Sequence, residues 1–222
     1  QAAALLEGSG RVSHIMFVDS WDLARGMVSA RRRSALQRAA LVLPTSRGVQ
    51  RAARFLRQHV PSLHMPFDFV IRLLAHIEAG KGSVYILGGS RDSLQHFEMN
   101  IRQTFPGLRV VGRYHGDYHP SREASVVEAI RKAQPDIVLL GGGPRLGRLW
   151  VHAHRASLPA AVYAWAPQVF GVIADRRRRP SRHAFHSGLS SFLAAIIRPW
   201  RILRMPMYGL LFFRLIRDRL TR

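Results

Sequence analysis

Short apolar runs alternate with amphipathic stretches along most of the chain up to Ala164. The apolar runs predict six strands, His14–Val18, Leu41–Leu43, Ser83–Leu87, Leu108–Val111, Asp136–Leu140 and Ala160–Ala164. Strands that are apolar on both faces and are separated by helices are typical of a parallel sheet covered on both sides. The pattern therefore predicts an α/β, Rossmann-like fold with a mostly parallel sheet flanked by helices.

Between these strands, apolar residues recur at helical spacing. The predicted helices are Asp22–Arg38, Gly48–His59, Phe67–Ala79, Leu94–Thr104, Ser121–Ala133 and a segment that ends near Ala156. In the third of them, Phe69, Leu73 and Ile77 lie on one face, and Gly80 ends the helix. Alternation of this kind indicates repeated strand–helix units rather than separate all-α and all-β parts.

The last part of the chain has a different composition. Its apolar residues follow steps of three and four that trace one helical stripe, Leu189, Phe192, Leu193, Ile196, Ile197, Trp200, Leu203, Met207, Leu210, Leu211 and Leu215. Arginines flank the stripe, and Pro199 and Pro206 are expected to kink or divide it. We therefore predict an α/β domain over residues 1–175 and a basic amphipathic helical appendage over residues 176–222.

The charge of the chain is strongly basic and unevenly spread. Thirty-four Lys+Arg against 13 Asp+Glu give a formal net charge of +21, and the stretch from Arg176 to Arg222 holds twelve arginines and one acid. Such a charge indicates a polyanionic partner, and arginines beside an apolar stripe favour an anionic membrane surface. Packing of this helix on the sheet or on a partner protein is the alternative. The residues expected at the membrane are Arg198, Trp200, Arg201 and Arg204.

Composition excludes several classes of protein. Hydrophobic residues make up 47% of the chain, enough for a packed core, which excludes a disordered tail. The chain has no Cys and therefore no disulfide, thiolate metal site or Cys nucleophile. The start of the chain lacks the basic region of a signal peptide, and no apolar segment reaches the ~20 residues of a spanning helix, so we expect peripheral membrane binding. No helix-turn-helix, RNP or zinc pattern supports a nucleic-acid partner.

Two glycine turns follow predicted strands and precede predicted helices. They are Gly88-Gly89-Ser90 and Gly141-Gly142-Gly143. Glycine allows close backbone approach to a ligand, helix N-termini attract phosphate, and ligands collect at the carboxyl ends of parallel strands. The two turns therefore predict one nucleotide site, although tight turns without a ligand give the same pattern.

The loop Arg113–Pro120, with the sequence RYHGDYHP, is the most polar connection in the sheet region. Its His115 and Asp117 are candidates for a general base or for contacts to a diphosphate or sugar. The alternative is a surface loop in which the histidines cap turns. His115 and His119 lie four residues apart in a Pro-containing loop, which is not a metal spacing.

Three further residues complete the candidate set. Asp68 begins a helix, where a carboxylate is either a cap or, in an apolar setting, a base. Asp19 follows the first strand and has the same two interpretations. Arg145 follows the second glycine turn, and its guanidinium suits a phosphate. Because no clustered Asp-x-Asp is present, we expect neither a metal nor another cofactor.

Two stretches, from Gly82 to Pro120 and from Gln134 to Ala164, resemble the WecG/TagA/CpsF glycosyltransferase family. The shared motifs, in the family's order and spacing, are Phe105-Pro106-Gly107-Leu108, His115-Gly116, Pro135-Asp136, Gly143-Pro144 and Trp150. The family also ends in a basic, Leu- and Trp-containing appendage that contacts the membrane, like Gly188–Met205. The resemblance implies transfer of a sugar of the N-acetylhexosamine type from a UDP-sugar to a polyprenyl-diphosphate-linked sugar, at the cytoplasmic face of the plasma membrane, in cell-envelope or exopolysaccharide synthesis.

The chain departs from the family pattern at polar positions. Thr45 stands where the family has its proposed catalytic Asp, Asp19 replaces an Asn, and the Gln-Glu pair after Pro144-Arg145 is missing. By resemblance and by the glycine argument, substrate binding is assigned to Asp19, Thr45, Gly88, Gly89, Gly116, Gly141, Gly142, Pro144 and Arg145. Asp68, His115 and Asp117 remain as candidate catalytic residues. The alternative is a catalytically degenerate member that binds or scaffolds in a membrane polysaccharide-synthesis complex, as a homo-oligomer or with a partner glycosyltransferase.

Overall fold

The computed structural model describes residues 10–179 and 205–220, and its centre is a parallel sheet. The strands are β1 (Ser13–Val18), β2 (Leu41–Pro44), β3 (Ser83–Gly88), β4 (Arg109–Tyr114), β5 (Ile137–Gly142) and β6 (Val162–Trp165). Their order across the sheet is β2-β1-β6-β5-β3-β4. The predicted α/β, Rossmann-like fold is confirmed, because six apolar strands form a parallel sheet with helices between them.

The helices within the described residues follow the strands in alternation. They are α1 (Ser20–Val28), α2 (Ala30–Gln37), α3 (Arg47–Phe55), α4 (Pro66–Ala79), α5 (Arg91–Thr104), α6 (Glu123–Ala133), α7 (Trp150–His154), α8 (Pro167–Ile173) and α9 (Met205–Leu220). None of them has an apolar stretch long enough to span a bilayer. The predicted membrane residues Arg198, Trp200, Arg201 and Arg204 lie outside the described residues.

Several elements differ from the sequence prediction: α8 (Pro167–Ile173) was not predicted, and the helix predicted over Gly48–His59 ends at Phe55. The helix predicted over Asp22–Arg38 is interrupted at Ser29, whose backbone is extended (φ −129°, ψ 109°). The helix predicted after Gly143 begins only at Trp150, since Pro144 and Gly147 disfavour a helix before it. β4 continues through Gly112 to Tyr114, where the sequence predicted a loop. Residue 112 is glycine because a Cβ there would overlap the ring of Tyr85 on β3.

The chain divides into two compact units. The larger contains residues 10–16, 38–41 and 66–179, and the smaller contains residues 17–37, 42–65 and 205–220. The larger unit holds β3–β6 and α4–α8, and the smaller holds α1–α3 and α9. The boundary predicted at residue 175 stays a prediction, because much of the segment after it lies outside the described residues.

Three strands of the larger unit, β3, β5 and β6, are buried on both faces, whereas the edge strand β4 has only exposed and half-buried residues. On one face, Tyr85 and Leu87 of β3 pack with α6 and α7 residues such as Ile130 and Trp150. On the other face, Ile86 is fully buried on the side of α4, α5 and α8. Burial of this kind explains why β3, β5 and β6 are continuously apolar, whereas β4 at the edge carries two arginines.

A polar contact joins β3 and β5 at the amino ends of the strands. The Ser83 backbone N and Oγ each donate to Asp136 Oδ2 at 2.7 Å. The Asp136 backbone N donates to Ser83 Oγ at 3.1 Å. Asp136 therefore fixes the register of the two strands, at the edge opposite the glycine turns.

Buried His14 on β1 makes the stability of the larger unit sensitive to acid. Its side chain is 2% exposed, and its Nε2 has no hydrogen-bond partner in the described part of the chain. Burial, followed by the positive charge of Arg155 and Arg148, lowers the pKa of His14 from 6.5 to about 3. The folded state thus excludes a proton that the unfolded chain binds below about pH 6.5.

We expect His14→Leu to reduce the pH dependence of the free energy of unfolding in acid. In the native protein the free energy of unfolding should fall by up to about 1.4 kcal/mol per pH unit between pH 6 and pH 4 because of His14 alone. Urea unfolding at several pH values measures this slope. The matched control is His59→Leu at an exposed histidine, which should keep the native slope. Equal slopes for His14→Leu and the native chain would contradict the assignment.

Candidate functional site

The glycine turns and the loop after β4 are hydrogen-bonded to one another. The backbone N of Gly89, after β3, donates to the carbonyl oxygen of Gly142, at the end of β5, at 2.8 Å. The backbone N of Gly116, in the loop after β4, donates to the carbonyl oxygen of Gly89 at 2.8 Å. The structure therefore brings together the turns that the sequence placed at one edge of the sheet.

Close backbone packing explains why these positions are glycine. Gly88 and Gly142 have φ values of +136° and +80°, which favour glycine. A Cβ at Gly88 would lie 2.7 Å from the backbone N of Gly141, and a Cβ at Gly143 would lie 2.7 Å from the Cα of Gly116. We call Gly88, Gly89, Gly116, Gly141, Gly142 and Gly143 the glycine cluster.

Phe170 of α8 packs against two members of the glycine cluster. A Cβ at Gly89 or Gly141 would overlap the Phe170 ring, which stacks on Phe97 of α5 with centroids 4.2 Å apart. Sequence reasoning missed Phe170. No local pattern marks Phe170, because the two glycines that it contacts are remote in sequence.

Some donors at this edge are used within the protein. The N–H groups of Gly89 and Gly116 bond other glycines, and at the N-terminus of α5 the Ser93 backbone N donates to Ser90 Oγ at 3.2 Å. Arg145 follows Pro144 just after the glycine cluster in the sequence, and both residues are exposed. Its guanidinium is a charged hydrogen-bond donor. An anionic ligand at this edge would therefore depend on arginine side chains as well as on backbone N–H groups.

His115 and Asp117 differ in their environment although both lie in the loop after β4. His115 is half-buried and stacks on Tyr114 with ring centroids 4.9 Å apart, and its Nδ1 is buried with no hydrogen-bond partner among the described residues. Asp117 is exposed. The catalytic roles of both residues stay predictions, and His115 has the more shielded position.

Tyr118, in the same loop, is held in its neutral form. Burial, with a further contribution from the negative charge of Glu123, raises the pKa of Tyr118 to about 12. The indole Nε1 of Trp150 donates to Glu123 Oε1 at 3.0 Å, so this hydrogen is not directed at the phenol oxygen. Tyr118 therefore stays a neutral hydroxyl over the physiological pH range.

Glu123 organises a cluster that the sequence did not predict. Besides accepting from Trp150, its Oε1 lies 3.3 Å from His154 Nε2, and His154 Nδ1 lies 2.9 Å from the carbonyl oxygen of Trp150. The contacts of Glu123 hold Trp150, one of the motif residues, against the loop after β4.

Asp68 is paired with the end of the larger unit. Its Oδ1 lies 2.6 Å from Arg179 Nη2, and the Arg179 guanidinium stacks 4.5 Å from the ring centroid of Phe67. Asp92 of α5 similarly pairs with Arg176. The basic run before residue 180 therefore forms ion pairs with two carboxylates, and the role of Asp68 as a base stays a prediction.

In the smaller unit, Asp19 and Thr45 make local contacts. Asp19 caps α1, because its Oδ1 accepts from the Asp22 backbone N at 2.9 Å while Asp22 Oδ2 accepts from the Asp19 backbone N at 3.0 Å. Thr45 Oγ1 donates to the Val18 carbonyl oxygen at 3.2 Å. Both residues follow strand ends as predicted, and their roles as substrate contacts stay predictions.

The described residues contain no group of three or more His, Cys, Asp or Glu side chains arranged to hold a metal ion. The site at the carboxyl edge of the larger unit consists instead of the glycine cluster, a His- and Tyr-containing loop and exposed arginine. This arrangement defines a class: Rossmann-like α/β proteins with glycine turns at the carboxyl edge of the sheet.

Comparison with known proteins narrows that class. The sequence model of the glycosyl transferase WecG/TagA/CpsF family matches residues 1–222, and the chain belongs to this family. The chain is also 24% identical over 172 residues to an N-acetylglucosaminyldiphosphoundecaprenol N-acetyl-beta-D-mannosaminyltransferase of Bacillus subtilis (strain 168). The aligned part covers 76% of this chain and 66% of that relative, slightly less than two thirds of its length.

Proposed function

We propose that the protein transfers an N-acetylhexosamine-type sugar from a UDP-sugar to a polyprenyl-diphosphate-linked sugar in cell-envelope or exopolysaccharide synthesis. The observation that carries the proposal is the glycine cluster joined to the His115 loop in a chain that belongs to this glycosyl transferase family. The named substrates of the Bacillus relative, a lipid-diphosphate-linked acceptor and an N-acetylmannosamine unit, support this choice.

The proposed reaction needs a base and a stabilised leaving group. The acceptor hydroxyl oxygen forms a bond to the anomeric carbon, the bond from that carbon to the diphosphate oxygen breaks, and UDP leaves with the electron pair. Arg145 neutralises the leaving diphosphate, together with backbone N–H groups of the glycine cluster that are not bonded within it. The proton of the acceptor hydroxyl passes to a side chain of the protein.

Among the predicted bases, His115 suits this role best. Asp68 is paired with Arg179 and Asp19 caps α1, whereas His115 Nδ1 has no partner in the described residues. Histidine is the commonest general base in enzymes, and a shielded position excludes competing water. Asp117 is the second choice, because it lies two residues away and is exposed.

A degenerate, non-catalytic member is the alternative function. It is favoured by Thr45, which stands at the family's proposed catalytic Asp and uses its hydroxyl to bond Val18. Assays with UDP-N-acetylhexosamines and a polyprenyl-diphosphate-linked N-acetylglucosamine acceptor, combined with titration calorimetry of UDP, distinguish the two. Sugar transfer supports the enzyme, whereas UDP binding without transfer to any acceptor supports the binding subunit.

We further propose that the protein acts peripherally at the cytoplasmic face of the plasma membrane, where a lipid-linked acceptor is available. Helix α9 exposes Leu210 (56%), Phe213 (72%) and Leu220 (81%) on one side, beside Arg217. Apolar side chains flanked by arginines are typical of helices that bind anionic membrane surfaces.

Replacing Leu210, Phe213 and Leu220 together by asparagine should weaken binding to anionic vesicles at least tenfold. The reason is that each side chain loses apolar area that the bilayer would remove from water. Vesicle sedimentation measures the change. The matched control replaces exposed Met99 and Val111 of the larger unit by asparagine and should bind as the native chain does. Unchanged binding of the α9 variant would count against this surface.

A further inference from the structure

The smaller unit contains an apolar groove between α3 and α9. Its volume is about 420 Å³, within the range of small-molecule pockets. The residues that line it are Ser20, Gly48, Arg51, Ala52, Phe55, Tyr208, Leu211, Phe212 and Leu215. We call it the α3–α9 groove. Most of its lining is hydrocarbon, so it suits an aliphatic chain rather than a sugar or a nucleotide.

Aromatic contacts within the smaller unit hold the groove open. The Tyr208 ring lies 5.8 Å from the Trp21 ring of α1, and the Phe212 ring lies 6.4 Å from the Phe55 ring of α3. The Arg219 guanidinium stacks over Phe55 at 4.7 Å. These contacts fix α9 against α1 and α3, so the groove is a defined part of the fold of this unit.

The charge around the groove fits an anionic head group. Arg51 lines the groove, and Arg47 and Arg54 lie on the same helix. None of the ion pairs formed within the described residues involves these three arginines. The stretches of the smaller unit contain eleven arginines and three aspartates. An apolar groove with unpaired arginine at its wall is complementary to an anionic amphiphile.

One end of the groove adjoins residues predicted to contact substrate. Ser20 directly follows Asp19, and its Oγ lies 2.9 Å from Ser46 Oγ, next to Thr45. Gly48 lies against Ser20, since a Cβ there would overlap the Ser20 hydroxyl. An amphiphile whose head group lies at this end therefore has its chain between α3 and α9.

We propose that the α3–α9 groove binds the isoprene units nearest the diphosphate of the lipid-linked acceptor, with Arg51 contacting that diphosphate. This inference rests on the proposed function. The groove selects the acceptor by its hydrocarbon chain and holds its head group beside Asp19 and Thr45. The occupant is thus a prenyl diphosphate rather than an acyl chain of the surrounding lipid.

Titration calorimetry on the full chain tests this proposal without requiring turnover. The probes are farnesyl diphosphate and inorganic diphosphate, and farnesyl diphosphate should bind at least tenfold more tightly. Ala52→Phe, which fills the groove, should weaken farnesyl diphosphate at least tenfold and leave inorganic diphosphate unchanged. Arg51→Gln, a surface change that does not threaten folding, should weaken both probes. Arg31→Gln on α2 removes the same charge away from the groove and should behave as the native chain.

Several results would overturn the groove assignment. One is equal affinity of the native chain for the two probes. Another is native affinity of both Ala52→Phe and Arg51→Gln for farnesyl diphosphate. A third is loss of Ala52→Phe binding to vesicles that lack prenyl lipid, because the occupant would then be an acyl chain. Failure of the proposed function gives a different result: farnesyl diphosphate binds as expected, but no sugar is transferred to any acceptor. Transfer that proceeds while groove variants bind normally rejects only the groove.

Discussion

Replacing His115 by glutamine is expected to lower the turnover number by about 10²–10⁴-fold, the usual contribution of a general base. Glutamine preserves a hydrogen-bonding group of similar size but cannot accept the proton of the acceptor hydroxyl. Because the base does not hold the donor, UDP affinity in titration calorimetry should stay within about threefold of the native value. A fall in turnover at unchanged UDP affinity is the signature of a lost proton acceptor.

The control for this variant lies in the same loop. His119 is exposed, and its Nδ1 contacts Ser121 Oγ at 2.9 Å, so His119→Gln changes a turn cap rather than the shielded ring. Its turnover should remain close to native. Native turnover in His115→Gln would remove His115 as the base, and a large loss in Asp117→Asn would then transfer the role to Asp117.

Gly116→Ala should destabilise the larger unit by about 3–5 kcal/mol, at the upper end of the cost of overpacking. The new Cβ would overlap the Gly142 carbonyl oxygen and would lie 3.1 Å from the Cα atoms of Gly143 and Gly88. All three neighbours are backbone, so no side chain can rotate away. Relief of the overlap would separate the turns after β3, β4 and β5 and break the Gly116-to-Gly89 hydrogen bond.

Gly147→Ala is the matched control, because a Cβ there has nothing within 4 Å. Its free energy of unfolding should stay within about 0.5 kcal/mol of the native value in urea titration. UDP affinity should fall in Gly116→Ala and not in Gly147→Ala if the glycine cluster contacts the donor. A Gly116→Ala protein of native stability would mean that the turns are not packed as the structure describes.

The candidate site was partly predictable because strand direction links distant turns. Once the strands were expected to be parallel, the turns at Gly88 and Gly141 had to lie at one edge, and the structure places them in contact, with Gly116 packed against both turns. The partners of these turns were not predictable. Phe170 packs on glycines 81 and 29 residues earlier in the sequence, Gly89 and Gly141, and no local pattern encodes such a contact.

The assignment of roles to carboxylates also depended on tertiary contacts. From the sequence, Asp68 was an acid at the start of a helix, with catalysis and capping both open. Its partner, Arg179, lies 111 residues away and is visible only in the folded chain. By contrast, the capping of α1 by Asp19 involves a residue three positions away, so its signal was already present in the local sequence.

The sequence by itself determined the parallel α/β fold, the candidate residues and the family resemblance, because hydrophobic periodicity, turn glycines and short motifs depend on neighbours along the chain. Only the tertiary structure decided which donors are used within the protein, which carboxylates are paired and where an apolar groove lies beside unpaired arginine. These properties depend on side chains that are remote in sequence and meet only on folding, and each is set by packing and charge at the point of contact.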